Sequence, residues 1–173
     1  LLALDPVYSL GQQITETIRR HENVSAQEAQ QRALALFERV RIPSPERRLQ
    51  AYPHEMSGGM RQRAMIALAL ACKPQLLLAD EPTTALDATV QIQILLLLRE
   101  LQKDLGLAVV FVTHDIGAAV EVADRIAVMY RGKIVAVIER RQATKEYLGL
   151  LMAGVSPDQF KPPEAGDEAE VVF

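Results

Sequence analysis

Leu76-Leu77-Leu78-Ala79-Asp80-Glu81-Pro82 is the stretch on which the reading of the fold turns. The run from Gln75 to Ala79 suits a strand buried on both faces of a parallel sheet. Two carboxylates then stand at the strand's C-terminal end, where α/β sheets hold ligands. Asp80, at the tip, can hold the waters of a Mg²⁺ ion, which prefers carboxylate oxygen and retained water. Glu81 can orient or deprotonate an attacking water. A strand ending in two ordinary solvated acids would leave the same trace. Pro82 follows directly and fixes the backbone where the pair must be held.

The chain on either side supports an α/β assignment. Downstream, Asp87 is placed to cap a long helix through Leu105 that carries Val90, Ile94, Leu97, Leu98 and Leu101, and Gly106 is a natural stop. Leu107 to Val112 reads as a second buried strand. A helix with Ile116, Ala119, Val120 and Ala123 follows, then strands Ile126 to Met129 and Ile134 to Ile138 joined by an Arg131-Gly132-Lys133 turn. Strand and helix in alternation imply parallel pairing. Upstream, Gly58 and Gly59 precede a helix to about Ala71 that Pro74 closes. Residues 9–56 form a small helical unit. Its first helix starts at Ser9 or Gly11, and its second opens with a Ser25–Glu28 capping box and carries the stripe Ala29, Ala33, Phe37, Val40.

Composition narrows the functional classes. The chain has 173 residues, 49% hydrophobic and 24% charged, which suits a globular domain rather than a disordered or fibrous chain. Cys72 is the single cysteine, so neither a disulfide framework nor a cysteine metal cluster is possible. Cys72 itself reads as a small core residue. His21 and His54 lack metal-ligand spacing. The longest apolar run, Ala64 to Cys72, is nine residues, against roughly 20 for a membrane helix. The net charge is -3, with the acids of residues 157–173 outweighing Lys161 and leaving a nearly neutral body. That balance, and the absence of Trp, argue against nucleic-acid binding. The prolines and acids after Pro157 read as a disordered tail.

Three further motifs carry chemistry. In Met56-Ser57-Gly58-Gly59-Met60-Arg61-Gln62-Arg63, two glycines allow close backbone approach and Ser57 offers a hydroxyl. The helix that follows aims its amides at whatever sits there. A plain helix cap with a hinge has the same residues. Val112-Thr113-His114-Asp115 puts a histidine past the second strand, where it can hydrogen-bond a phosphate or simply be a satisfied loop residue. Thr84-Ala85-Leu86-Asp87 ends in the helix cap already noted.

Order and spacing join these motifs: Ser57 precedes Asp80 by 23 residues, and His114 follows Glu81 by 33. The set resembles the ATPase subunit of ATP-binding cassette (ABC) transporters over roughly residues 4–138. Ser57-Gly58-Gly59-Met60-Arg61-Gln62-Arg63 is similar to the family's signature, Leu76 to Asp80 to Walker B and Glu81 to the catalytic glutamate. Ala85-Leu86-Asp87 is similar to the D-loop and His114 to the switch histidine. Leu4 to Gly11, Tyr52 to Met60 and Asp80 to Gln93 resemble the di- and oligopeptide importer branch, which peptide, nickel and glutathione importers share. The resemblance implies an ATP-hydrolysing subunit with ATP and Mg²⁺ as cofactors and Glu81 and His114 catalytic. Asp80 would hold the metal through water. Ser57, Gly58, Gly59, Met60 and Gln62 would touch nucleotide on an opposing cassette. Implied partners are a second ATPase subunit, transmembrane permease subunits and, indirectly, a solute-binding protein, with the subunit peripheral on the cytoplasmic face of the inner membrane.

The family's phosphate-cradling Walker A loop, Gly-x-x-x-x-Gly-Lys-Ser/Thr, is not among these residues; Gly132-Lys133 is followed by Ile134. The expected architecture is therefore the C-terminal part of a P-loop (RecA-like) α/β domain with a helical subdomain. Residues 1–72 would be the helical signature part, 73–139 the α/β part, and 140–173 an extension disordered at its end. Residues 143–154 lack a Pro-Tyr element expected in peptide importers and are more similar to the ends of sugar or nucleoside importer ATPases. Arg39, Arg41, Arg47 and Arg48 form either a solvated face or a contact for a permease helix. Two alternatives stand beside the importer. One is a non-catalytic module. The other is a chromosome-maintenance or DNA-repair type ABC ATPase, disfavoured because residues 9–56 hold no sustained heptads.

Overall fold

The computed structural model describes residues 4–156, which pack as two compact units, one running to Val110 and the other starting at Phe111. The expectation for the tail from Pro157 lies outside the described residues.

The first unit begins with helices. In α1 (Leu10–His21) the Ser9 hydroxyl accepts from the Gln12 amide at 3.3 Å, while the Gln12 side chain accepts from the Ser9 amide at 3.0 Å. This is a reciprocal capping box. In α2 (Ala26–Arg39) the Ser25 hydroxyl accepts from the Glu28 amide at 3.1 Å, the Ser25 half of the expected capping box. Leu10, Ile14 and Ile18 of α1 meet Ala29, Ala33 and Phe37 of α2 in a core at most 1% exposed. Short α3 (Pro45–Leu49) and α4 (Gly58–Leu70) complete this bundle. Arg32 of α2 ties it together, reaching both Glu22 carboxylate oxygens at 2.5 and 2.8 Å and the Ala71 carbonyl at 3.0 Å. Its guanidinium holds the Glu22 carboxyl below the usual carboxylate range. Phe37→Ala should cost about 3–5 kcal/mol of unfolding free energy, the usual loss for an emptied aromatic site. Urea denaturation reads this directly, and a loss under about 1 kcal/mol would mean that α2 is not seated in a packed core.

Strand β1 (Leu76–Asp80), helix α5 (Ala88–Leu105) and strand β2 (Ala108–Val112) follow. Asp87 caps α5 by accepting from the Val90 amide at 3.0 Å, and Gly106 ends it at φ 61°, a left-handed position that suits glycine. The amide of Ala108, first in β2, bonds the carbonyl of Gln75, just before β1, at 3.0 Å. Both strands start at the same end, so this two-stranded sheet is parallel, as the helical crossover requires.

One expectation fails here. β1 is not buried on both faces. Leu77 and Ala79 are covered, but Leu76 is 50% and Leu78 70% exposed. In β2, likewise expected to be buried, exposed and half-buried residues alternate, with Val110 48% exposed. A two-stranded sheet buries only the face that another layer covers. An all-apolar run reports that a residue can be buried, not that a layer is present on each side.

The second unit contains α6 (Ile116–Val122), strands β3 (Arg125–Tyr130) and β4 (Lys133–Glu139), and α7 (Lys145–Met152). β3 and β4 are antiparallel, with Tyr130 opposite Lys133. Arg131 and Gly132 both have positive φ, 48° and 76°, the two-residue hairpin geometry that matches strand twist. Val128 and Ile138 pack with Tyr147, Leu148 and Leu151 of α7. The front of the segment read as an extension is thus helical and supplies core residues. Among the described residues no helix is long and apolar enough to cross a membrane.

Candidate functional site

β1 delivers an exposed Asp80 to its C-terminal tip. At the next residue the backbone turns sharply, with Glu81 at φ 44°, a left-handed conformation that costs a non-glycine residue on the order of 1 kcal/mol. The turn is closed by the Thr84 amide donating to the Glu81 carbonyl at 3.2 Å. The Thr84 hydroxyl also donates to Glu81 Oε2 at 2.6 Å, a short bond to a charged acceptor. Thr83, only 6% exposed, accepts on its carbonyl from the Leu86 amide at 3.3 Å and from the Gln91 side chain of α5 at 3.1 Å. Ala85 is the second left-handed residue, at φ 64°, before Asp87 caps α5. Residues 81–87 are therefore a chain of turns anchored on α5.

The start of α4 lies against this loop. Ser57 is the exposed N-cap, its hydroxyl accepting from the Met60 amide at 3.4 Å. That leaves the Gly58 and Gly59 amides at the helix end, where the positive end of the dipole and the free donors favour an anion. A Cβ on Gly58 would lie 3.2 Å from Leu86 Cδ2, and one on Gly59 only 2.6 Å from Val90 Cγ1. The glycines thus let α4 approach both the D-loop-like turn and the first turn of α5. The sequence suggested only an approach to a ligand. Met60 and Gln62 are half-buried in the same first turns.

Deeper in α4, Arg63 donates to the Val40 carbonyl at 2.8 Å and to Gln93 of α5 at 3.3 Å. Burial, and then the charge of Arg41, push its guanidinium below the usual value. Arg41, grouped in the sequence with a basic cluster, forms an ion pair with Glu100 of α5 at 2.7 Å. Thr84 and Arg63 stood inside the motifs read from the sequence, and Val90 on the apolar face of α5, without the contacts found for them here.

His114 belongs to the second unit, on an exposed turn between β2 and α6. The turn is pinned on both sides: Asp115 donates its amide to the Thr113 hydroxyl at 3.0 Å and accepts from the Ala118 amide at 3.2 Å. Asp80, Glu81, residues 85–87 and the α4 start are brought together in the first unit.

The described residues contain no cluster of three or more potential metal ligands. Mg²⁺ held mainly by water and phosphate oxygens asks for one or two carboxylates, and the exposed Asp80 fits that requirement. Two clefts lie apart from this loop, along α1 and α2, lined by Gln12, Thr15 and Arg19.

Strand-tip carboxylates, a glycine-started helix packed on the loop beyond them, and the order of these motifs match part of an ATP-binding cassette fold. Residues 5–84 of the chain match the family described as ABC transporter. The chain is 57% identical over 135 residues to the probable peptide ABC transporter ATP-binding protein y4tR of Sinorhizobium fredii, covering 78% of this chain and 40% of that protein. It is 53% identical over 135 residues to the glutathione import ATP-binding protein GsiA of Escherichia coli K12, covering 78% and 22%. The chain thus spans less than half the length of these relatives. Its structure is similar to the ATP-binding cassette MJ0796 in a dimeric, post-hydrolysis state bound to ADP and Pi, with TM-score 0.70 and 31% identity over 80% of this chain and 59% of that one.

Proposed function

We propose that these residues form the signature and water-activating part of an ATP-hydrolysing subunit that powers an importer of peptides or a similar small solute. The observation that carries the reading is the single loop 80–87, which holds both carboxylates and packs its far end against the start of α4. The names of the two relatives above, a peptide transporter protein and a glutathione import protein, support the substrate class.

MgATP supplies the transferable phosphoryl group, and catalysis of such transfer rests on positioning and electrostatics. In this chain, Asp80 holds the waters of the metal. Glu81 orients a water and takes its proton. His114 donates a hydrogen bond to a phosphate oxygen. Ser57 and the amides of Gly58 and Gly59, with Met60 and Gln62 behind them, cover nucleotide held by an opposing cassette, and Ala85, Leu86 and Asp87 line the seam between the two. Residues 1–72 serve as the signature part, 73–139 as the α/β part and 140–173 as an extension. The working assembly pairs two such subunits with transmembrane permease subunits on the cytoplasmic face of the inner membrane, served by a solute-binding protein.

The test is reconstitution. The complete ATP-binding subunit, assembled with its permease in proteoliposomes, should hydrolyse ATP faster when a peptide-loaded binding protein is added. The 173-residue chain alone should neither turn over ATP nor bind MgATP tightly, since it carries no Gly-x-x-x-x-Gly-Lys-Ser/Thr loop. An assembly with no peptide response removes the substrate class. Turnover by the isolated chain that disappears in Glu81→Gln removes the division of labour.

A further inference from the structure

We infer that Gln91 is a positioning residue for the turn at 83–86. From the first turn of α5 its side-chain amide holds the Thr83 carbonyl and keeps Ala85 left-handed, which sets Ala85 and Leu86 for the seam between two cassettes. The inference rests on the reading of residues 85–87 as lining that seam.

The Thr83 carbonyl accepts twice: from the Leu86 amide at 3.3 Å, which closes the turn, and from Gln91 Nε2 at 3.1 Å. Thr83 is 6% exposed, so little water can replace either donor, and a buried acceptor without a partner is costly. The turn needs the second donor. Ala85 stands at its third position with φ 64°, a value that such turns ordinarily give to glycine and that alanine leaves readily. The bond inside the turn is long and restrains it weakly. Gln91, by contrast, sits on a rigid element. Its own amide donates to the Asp87 carbonyl at 2.9 Å, and the Asp87 side chain caps the same helix. A glutamine has both the reach and the donor to cross back eight residues to Thr83. The effect extends past the turn. Leu86 Cδ2 lies 3.2 Å from where a Cβ on Gly58 would stand, so the residue that closes the turn is also the one the start of α4 packs against.

The experiment begins with Gln91→Met, which keeps the length of the side chain, removes the donor and is as good a helix former, so α5 should be undisturbed. In the complete ATP-binding subunit, the Leu86 amide should exchange its hydrogen about tenfold faster. ATP-driven dimerisation should weaken about three- to tenfold, the scale of one lost hydrogen bond, with nucleotide affinity of the single subunit unchanged. Ala85→Gly tests the cause. Glycine holds the left-handed position without strain, so Gln91→Met should weaken dimerisation much less when added to Ala85→Gly than when made alone. A general packing role for Gln91 would give the same loss in both backgrounds. Unchanged exchange at Leu86, unchanged dimerisation, or equal losses in the two backgrounds would overturn the assignment. Ala85→Glu, which puts a charge on an exposed residue of the turn, separates the two readings. If it dimerises normally, residues 85–87 do not line the seam. If it blocks dimerisation while Gln91→Met does nothing, they line the seam and Gln91 does not position them.

Discussion

Glu81→Gln, in the complete subunit assembled with its permease, should lower ATP turnover by about a thousandfold and leave MgATP binding intact. The amide keeps the size of the side chain and still accepts from the Thr84 hydroxyl, so the loop 81–87 should hold its shape. What is lost is the ability to take a proton from water, and a positioned base contributes typically about 10²–10⁴ in rate. Binding is spared because neither the phosphate-cradling loop nor Asp80 is altered. Phosphate release and equilibrium nucleotide binding, measured on the same preparation, decide the matter. Turnover within about tenfold of the unaltered protein would reassign Glu81 to a structural part in the turn.

The second large effect belongs to the glycine pair, and the structure predicts different outcomes for its two members. Gly58→Asp places a carboxylate at a helix start proposed to cover a phosphate, so closure of the ATP-driven dimer and hydrolysis should both fail. Nucleotide affinity of the single subunit should survive. The new Cβ would sit 3.2 Å from Leu86 Cδ2, the movable end of a side chain, so Leu86→Ala should not rescue the variant. Gly59→Ala fails for another reason: its Cβ would meet Val90 Cγ1 at 2.6 Å, a distance at which the Val90 side chain or the helix that carries it must shift. Val90→Ala removes that carbon, and the double variant should regain most of the ATPase activity lost by Gly59→Ala alone. Non-additivity of this kind is the mark of direct contact. Rescue of Gly58→Asp by Leu86→Ala would make its defect one of packing. Failure of Val90→Ala to rescue Gly59→Ala would mean that Gly59 is needed for something other than room for α5.

Locally encoded features were legible in the sequence. The Asp87 cap, the Gly106 stop and the Arg131-Gly132 turn depend on residues within a few positions of each other, and each stands where its chemistry places it. The Ser9–Gln12 box was equally local and was missed, although Ser-x-x-Gln is itself the pattern. α7 also left a trace, a Thr144 cap ahead of Tyr147, Leu148 and Leu151. Exposure of Leu76 and Leu78 could not be read, because a strand's composition does not say how many layers flank it. For the site, the order of motifs pointed to Asp80, Glu81 and the glycine helix. The contact of Gly59 with Val90, 31 residues away, and the left-handed turn at Glu81 come from how separate elements meet. No spacing rule contains them.

Leu76 and Leu78 stand open to water on a two-stranded parallel sheet, with Val110 similarly exposed in the neighbouring strand. Short, apolar, β-rich surfaces of this kind invite self-association. A layer laid against that face would bury these side chains, gaining roughly 25 cal/mol for each Å² of apolar surface removed from water.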